Sequence, residues 1–245
     1  MACLKDLKLP TVRQHFEEEA LRAQEESLSY EHYLFELMQR EHEARSNKRI
    51  GKSLRESKLP LEKSLDAFDL KVLPPKLRQQ VHVVLGGDFL NKQENVLAFG
   101  NPGSGKTHLM CAIGQELIKE GWSVYFTSGS LFVQELLLAK QDLRLTRKLK
   151  HLSKFDAVIV DDIGYVQQNQ EEMEVLFTFL SERYERGSVI ITSNLPFSQW
   201  EKIFKNPMMT AAAIDRLVHH SIILELNLPS YRMAQAKLSK SGGTQ

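Results

Sequence analysis

The sequence predicts an α/β fold with a mostly parallel sheet of five strands, preceded by a separate helical segment. Downstream of about residue 75, short β-branched apolar runs alternate with stretches of helical periodicity. Such runs are typical of strands covered on both faces, and their alternation with helices favours parallel pairing through right-handed crossovers. Upstream, the chain is charged and carries only helical periodicity.

The first part of the chain predicts two helices and a linker. Apolar residues repeat at helical spacing over 11–25 and again after Ser29, which is a suitable N-cap. The second helix has no clear stop before Gly51 or Lys58, and prolines then interrupt the periodicity. We therefore predict three parts: a helical domain over 1–65, a core over 66–230 and a short flexible tail over 231–245.

Each apolar run predicts one strand, and each stretch between two runs was examined for helical spacing. The predicted strands are NVLAFG (95–100), WSVYFTS (122–128), FDAVIVDD (155–162), GSVIITSN (187–194) and HSIILEL (220–226). The predicted helices between them cover 106–120, 131–153 and 170–186.

Composition narrows the class of protein without identifying it. The 245 residues have a formal net charge of +1, so the local distribution of charge matters more than its sum. The two cysteines, Cys3 and Cys111, form no zinc-binding spacing, and a reducing cytoplasm is the simplest expected setting. The adjacent His219 and His220 are expected to point different ways on a regular element, as ordinary residues. No run has the roughly 20 apolar residues that span a membrane.

A phosphate-binding loop is the strongest motif in the chain. The segment GNPGSGKT matches G-x-x-x-x-G-K-[ST] between a predicted strand and a predicted helix, which is the context that the motif requires. Its glycines allow backbone N–H groups to surround phosphates at the helix N-terminus. Lys106 is expected to reach the β- and γ-phosphates of ATP, and Thr107 to ligate Mg²⁺. The predicted nucleotide-binding residues are Gly100, Asn101, Pro102, Gly103, Ser104, Gly105, Lys106, Thr107 and His108.

Two acids follow the third apolar run and predict a metal-binding and catalytic pair. Ligands of open α/β sheets bind at the carboxyl ends of the strands, where Asp161 and Asp162 lie. Asp161 is predicted to hold Mg²⁺, directly or through water, and Asp162 to polarise the attacking water. P-loop ATPases usually give this second role to glutamate, whose side chain is one methylene longer. The alternative is that two acids simply end a strand at a turn.

Three further polar residues are candidates for contacts with the nucleotide. Asn194 ends the fourth run and is predicted to touch the γ-phosphate or its water, unless it caps the turn at Pro196. Arg216 precedes the last run and is predicted to act on a neighbouring subunit's nucleotide, unless it forms a local surface pair with Asp215. Arg232 is a candidate phosphate contact, with a surface arginine as its alternative.

Two basic clusters predict binding to a nucleic acid backbone, although a solvated charged face is the usual alternative for each. Lys48, Lys52 and Arg55 share one face of the second predicted helix, with Arg45 and Arg49 nearby. The other cluster lies between the second and third strands, and its members are Lys140, Arg144, Arg147, Lys148 and Lys150.

In this order, GNPGSGKTHL, VIVDDIGY, VIITSNLPFSQW, AAIDRLVHHS and SYR resemble the IstB-type transposition helper ATPases of insertion sequences. These belong to the AAA+ class together with DnaC-type helicase loaders and the initiator DnaA. The resemblance covers the chain from about residue 66 and includes DAFDL ahead of the core. The charged helical N-terminus also looks like that of the IstB group, with less specific motifs.

The resemblance implies a sheet in the order 5-1-4-3-2, with ATP and Mg²⁺ bound between subunits of an oligomer. It implies that Asp161 and Asp162 are the Walker B pair, Asn194 sensor 1 and Arg216 the arginine finger. It also implies that residues 131–153 line a DNA channel. The tail after Leu226 is too short for the helical lid of most AAA+ proteins, which leaves Arg232 without an assured role.

The family implies that the chain assembles on duplex target DNA in the presence of ATP and stimulates a partner transposase. A helicase loader acting on single-stranded DNA is the alternative within the same class. A small-molecule kinase with a P-loop is the alternative from another class, but neither an acceptor site nor a lid is evident.

Overall fold

The computed structural model describes residues 2–165, 170–204 and 206–230, and it divides the chain into two compact units. The first unit is Met1–Ser53, and the second begins at Leu54. Because Arg232 lies outside the described residues, its predicted phosphate contact stays a prediction. Among the described residues, no helix is both long and apolar enough to cross a membrane.

The helices of the described chain are numbered in sequence order. They are α1 (Ala2–Asp6), α2 (Pro10–Glu25), α3 (Tyr30–Ser57), α4 (Pro75–Leu85), α5 (Asp88–Asn91), α6 (Lys106–Lys119), α7 (Gly129–Gln141), α8 (Leu145–Leu152), α9 (Gln170–Arg183), α10 (Glu201–Phe204) and α11 (Pro207–Val218). Short 3₁₀ turns cover Leu70–Val72, Ile163–Tyr165 and Phe197–Gln199.

Buried acids hold the helices of the first unit together. Glu41 on α3 is 2% exposed and accepts hydrogen bonds from the backbone N–H groups of Thr11, at 2.8 Å, and Val12, at 3.0 Å. These groups lie in the first turn of α2, whose N–H groups have no partners within the helix. Burial raises the pKa of the Glu41 carboxyl, but the bonds from Val12, Arg45 and Thr11 outweigh it and lower that pKa. Glu41 therefore caps α2 as a carboxylate.

The second unit contains a five-stranded parallel sheet in the order β2-β3-β4-β1-β5, as predicted. The strands are β1 (Asn95–Phe99), β2 (Val124–Ser128), β3 (Ala157–Asp161), β4 (Ser188–Ser193) and β5 (Ser221–Glu225). The three central strands are almost completely buried, because helices cover both faces of the sheet. This burial explains why their sequences are apolar runs instead of alternating patterns.

The single helix predicted over 131–153 is wrong, because the structure has two helices there, α7 and α8. The chain turns at Leu143, which has a positive φ of 56° and is 95% exposed. α7 packs against β2 and α9 through buried side chains such as Phe132, whose ring lies edge-on to Phe179 at 4.7 Å. The turn allows α8 to pack back against α7 instead of continuing away from the sheet.

The segment predicted as a linker packs closely against α6. Gln115 on α6 donates hydrogen bonds from Nε2 to the carbonyl oxygens of Pro60 and Lys63, both at 3.1 Å. Leu59 is buried, and its side chain lies 3.2 Å from the position that a Cβ on Gly114 would take. The segment is therefore fixed to the helix that follows the phosphate-binding loop.

Candidate functional site

The loop Gly100–Thr107 joins β1 to α6 and has the geometry of a phosphate cradle. Gly105 has a φ of 93°, which non-glycine residues rarely adopt, and it immediately precedes the first turn of α6. A Cβ on Gly100 would lie 2.3 Å from the carbonyl oxygen of Leu226, so glycine is needed there for space. The Lys106 side chain is 5% exposed, and Nζ donates to the carbonyl oxygens of Gly100, at 2.7 Å, and Asn101, at 3.0 Å. The ammonium group thus lies inside the loop.

Two buried oxygens near the loop have no hydrogen-bond partner among the described residues: Ser104 Oγ and Asn194 Oδ1. A buried polar atom without a partner costs about 1–3 kcal/mol, so a native site normally supplies one. A bound triphosphate with its metal ion and water brings such partners. These oxygens, the glycine-lined loop and the buried ammonium fit a nucleotide.

Thr192 on β4 connects the two acids at the end of β3. Its hydroxyl is fully buried; it donates to Asp161 Oδ1 at 2.6 Å and accepts the backbone N–H of Asp162 at 2.7 Å. Asp162 has a φ of 55°, in the left-handed region. The hydroxyl therefore fixes the Asp161 carboxylate and the backbone of the next residue at once. Sequence reasoning missed Thr192, because a threonine inside an apolar strand looks like an ordinary β-former.

Asn194 and Ser193 have different roles at the end of β4. Ser193 Oγ accepts the backbone N–H of Leu195 and donates to its carbonyl oxygen, both at 3.0 Å, so Ser193 makes the turn. The side-chain oxygen of Asn194 takes no part in that cap. A cavity of about 380 Å³ is lined by Asn194 together with Gly100 and Asn101 of the phosphate-binding loop. This arrangement supports the predicted contact of Asn194 with the nucleotide or its water, which stays a prediction.

His108 and the segment before the core form one wall of the loop. The His108 ring Nε2 lies 3.0 Å from the carbonyl oxygen of Ser64, to which it donates in the tautomer that carries the proton there. The Phe68 ring packs edge-on against His108 at 5.3 Å and lies 3.0 Å from a Cβ position on Gly105. His108 therefore positions the DAFDL segment against the loop, in addition to its predicted nucleotide contact.

Arg216 lies at the edge of the sheet opposite the phosphate-binding loop. Its carbonyl oxygen is 3.5 Å from Asn95 Nδ2, and Asn95 begins β1, whereas the loop follows the end of that strand. Five residues of strand span roughly 15 Å. The guanidinium lies over the Phe177 ring at 4.8 Å and donates to the carbonyl oxygen of Ala212 at 2.9 Å. The salt bridges found in the described part of the chain include no pair between Asp215 and Arg216.

The basic residues of α3 are exposed, with one clear difference among them. Lys48, Arg49, Lys52 and Arg55 are all exposed on this helix. The Arg45 guanidinium is engaged within the first unit, with Glu41 Oε1 at 2.7 Å and with the carbonyl oxygen of Lys8. Arg45 is thus a weaker candidate for a phosphate contact than the residues that follow it.

The second basic cluster lies on α7, α8 and the turn between them, and acids accompany much of it. Lys140 pairs with Glu174 at 2.9 Å, and Arg144 lies 4.0 Å from Asp142. Lys148 pairs with Glu135 at 2.5 Å. For Arg147 and Lys150 the described residues offer no ion pair, and both side chains are exposed. All five residues stay predicted DNA contacts, with Arg147 and Lys150 the most available for such contacts.

Replacing Thr192 with valine is expected to lower ATP turnover by roughly 10- to 100-fold, the usual loss when the partner of a metal ligand is removed. Valine leaves Asp161 Oδ1 and the Asp162 N–H without the hydroxyl that fixes them. The Mg²⁺ concentration that gives half-maximal turnover should rise in a titration. Thr192→Ser keeps the hydroxyl and serves as the matched control. Normal Mg²⁺ dependence in the valine variant would contradict this role.

The chain is similar over almost its whole length to proteins of bacterial insertion sequences. The model of the IstB-like ATP binding protein family matches residues 2–239. An insertion sequence ATP-binding protein of Sinorhizobium fredii is 42% identical over 238 residues, which are 97% of this chain and 80% of that protein. The insertion sequence IS21 ATP-binding protein of Pseudomonas aeruginosa is 35% identical over 96% of this chain and 88% of its own length.

Solved structures of replication proteins share the fold. DnaA of Aquifex aeolicus bound to AMPPCP has a TM-score of 0.57 and 20% identity, over 77% of this chain and 58% of that chain. The DnaC helicase loader has a TM-score of 0.55 and 18% identity, over 67% of this chain and 97% of that chain. At these identities the likeness concerns the fold alone, which is of the AAA+ type.

Proposed function

Because the chain belongs to the IstB-like ATP-binding protein family, we propose that it is a Mg²⁺-dependent ATPase that assembles on duplex target DNA and stimulates the transposase of the same insertion sequence. The observation that carries the proposal is the separation of Arg216 from the phosphate-binding loop within one chain. A complete catalytic site then requires a second copy of the chain.

The residues at the carboxyl edge of the sheet support the proposed hydrolysis. Lys106 and the backbone amides of the loop hold the β- and γ-phosphates, and Thr107 and Asp161 hold the metal ion. When bound, Mg²⁺ neutralises charge on the phosphates. Asp162 polarises the attacking water and Asn194 orients it.

The trans arrangement explains why assembly and catalysis are coupled in this proposal. Arg216 of one copy reaches the nucleotide of the next and stabilises the charge that develops during phosphoryl transfer. A head-to-tail contact of this kind builds a ring or an open helix. ATP then joins subunits and hydrolysis separates them, so that binding to DNA depends on the nucleotide.

The exposed basic residues on α3 support DNA as the surface on which the subunits assemble. Lysine and arginine without interleaved aromatic side chains suit phosphate contacts more than base stacking. Between Arg40 and Lys63 the sequence contains no Phe, Tyr or Trp. One subunit offers few contacts, but an oligomer multiplies them. The insertion-sequence relatives favour a transposition helper over a helicase loader or a small-molecule kinase.

Replacing Lys48, Arg49, Lys52 and Arg55 together with glutamate is expected to abolish DNA binding while nucleotide binding stays normal. Each lost phosphate contact also removes about 0.9 from the slope of log affinity against log salt concentration on duplex DNA. Fluorescence anisotropy with a labelled duplex measures both quantities.

The control is a variant with the same change of net charge on exposed lysines of the second unit: Lys71, Lys76, Lys119 and Lys154 to glutamate. It should bind DNA more tightly than the α3 variant does. Equal losses in both variants would show that only the total charge matters, and that α3 carries no binding surface.

A further inference from the structure

A cluster of metal-ligating side chains lies away from the nucleotide site, in two turns at the amino-terminal edge of the sheet. Glu185 lies between α9 and β4, and His219 and His220 lie between α11 and β5. One ligand atom from each of the three side chains lies within 4.8 Å of the other two, and all three side chains are exposed. We propose that these residues form a binding site for a divalent transition-metal ion of the zinc class.

The backbone explains how adjacent histidines face one ligand. On a strand or helix they would diverge, as the sequence suggested, but they lie in a turn, and their ring centroids are 4.2 Å apart. That expectation is therefore wrong. Glu185 has a φ of 54°, in the left-handed region, where it follows the end of α9. The two turns thus direct two imidazoles and one carboxylate to a common point.

The donor set favours a transition metal over Mg²⁺. Two imidazole nitrogens and a carboxylate oxygen are the ligands of many three-residue zinc sites, whereas Mg²⁺ prefers oxygen donors alone. Zinc binds nitrogen at about 2.0–2.1 Å, so tetrahedral ligands lie roughly 3.3 Å apart. Rotation of exposed side chains by about an ångström closes the present spacing to that value, and water completes the coordination.

Tyr184 supplies a partner that orients one of the ligands. Its hydroxyl oxygen lies 3.3 Å from His219 Nδ1. In the tautomer with the proton on Nδ1, the ring donates to this oxygen and presents the lone pair of Nε2 to a metal ion. Metal-binding histidines commonly donate their second nitrogen in this way.

The site adjoins the residue that the proposed function places at the subunit contact. Glu185, His220 and Arg216 line one cavity of about 340 Å³, which Lys92 also lines. A dication bound there adds positive charge beside the guanidinium, at the face that must meet the neighbouring nucleotide. We therefore expect the metal to slow ATP turnover; this consequence, unlike metal binding itself, rests on the proposed function.

Isothermal titration of the full chain with Zn²⁺, without nucleotide or DNA, tests the site directly. All proteins carry Cys3→Ser, because that exposed thiol is a competing ligand. We expect one bound ion per chain, and affinity lowered about tenfold or more by Glu185→Gln, His219→Ala or His220→Ala. His42→Ala, which removes an exposed imidazole on α3, is the matched control and should bind normally.

Two results would overturn the site: no binding by the parent chain, or equal affinity in the three ligand variants and the His42 control. An excess of Mg²⁺ should leave zinc binding unchanged, and displacement by Mg²⁺ would place the ion elsewhere. Saturating Zn²⁺ at constant Mg²⁺ should slow ATP turnover of the parent but not of His219→Ala. Normal turnover with zinc bound would overturn the link to Arg216 and leave the metal site intact.

Discussion

Lys106→Ala is expected to lower ATP turnover by about 10²- to 10³-fold, the usual loss when one preorganised electrostatic group is removed from an active site. The ammonium lies within the loop, 2.7 Å from the carbonyl oxygen of Gly100 and 3.0 Å from that of Asn101. Alanine removes the charge that the phosphates require. ATP-dependent DNA binding should disappear with it, because assembly depends on the nucleotide.

The measurement is phosphate release at saturating ATP, together with the affinity for a fluorescent ATP analogue. Lys119→Ala is the matched control, because this exposed lysine at the end of the same helix pairs with Glu116. It should retain turnover and binding. Thermal unfolding of both variants separates loss of function from loss of fold. Turnover at the parent rate in Lys106→Ala would refute the assignment of the phosphate-binding loop.

Arg216→Ala is expected to keep ATP binding and lose turnover by about 10³-fold or more, the range known for arginine fingers. Loss of binding would instead place Arg216 beside its own nucleotide, against its position at the opposite edge of the sheet. A mixture with Lys106→Ala chains should recover activity. In a random equal mixture of head-to-tail subunits, about a quarter of the contacts join an intact loop to an intact Arg216.

The control mixture combines Arg216→Ala with chains that carry both substitutions, so that no contact contains Arg216. It should stay inactive at every ratio. Subunit exchange is followed by energy transfer between labelled chains. If exchange is complete and the first mixture still shows no recovery, the trans role of Arg216 is wrong.

The fold and the loop were predictable because their signals are local. Apolar runs covered on both faces identify all five strands to within a few residues, and the glycine pattern between β1 and α6 has few other uses. The order of the strands came from the resemblance to a family and is confirmed by the pairing of β1 with β4 and β5.

The features that sequence reasoning missed depend on contacts between distant residues or on unmarked turns. The chain reverses at Leu143 without glycine or proline, within a continuous helical pattern, so nothing in the sequence divides α7 from α8. Thr192 acquires its role only when β4 lies beside β3. His219 and Glu185 come together from two turns separated by more than one helix.

The central claim is that the ATP-bound chain assembles on duplex DNA. The most direct test is a competition between duplex and single-stranded oligonucleotides of equal length, at fixed salt, for the chain saturated with the non-hydrolysable analogue AMPPCP. We predict that the duplex displaces the single strand, and that replacement of AMPPCP by ADP releases both. A clear preference for the single strand would contradict the account in favour of a helicase loader, and equal binding with ADP would contradict nucleotide-dependent assembly.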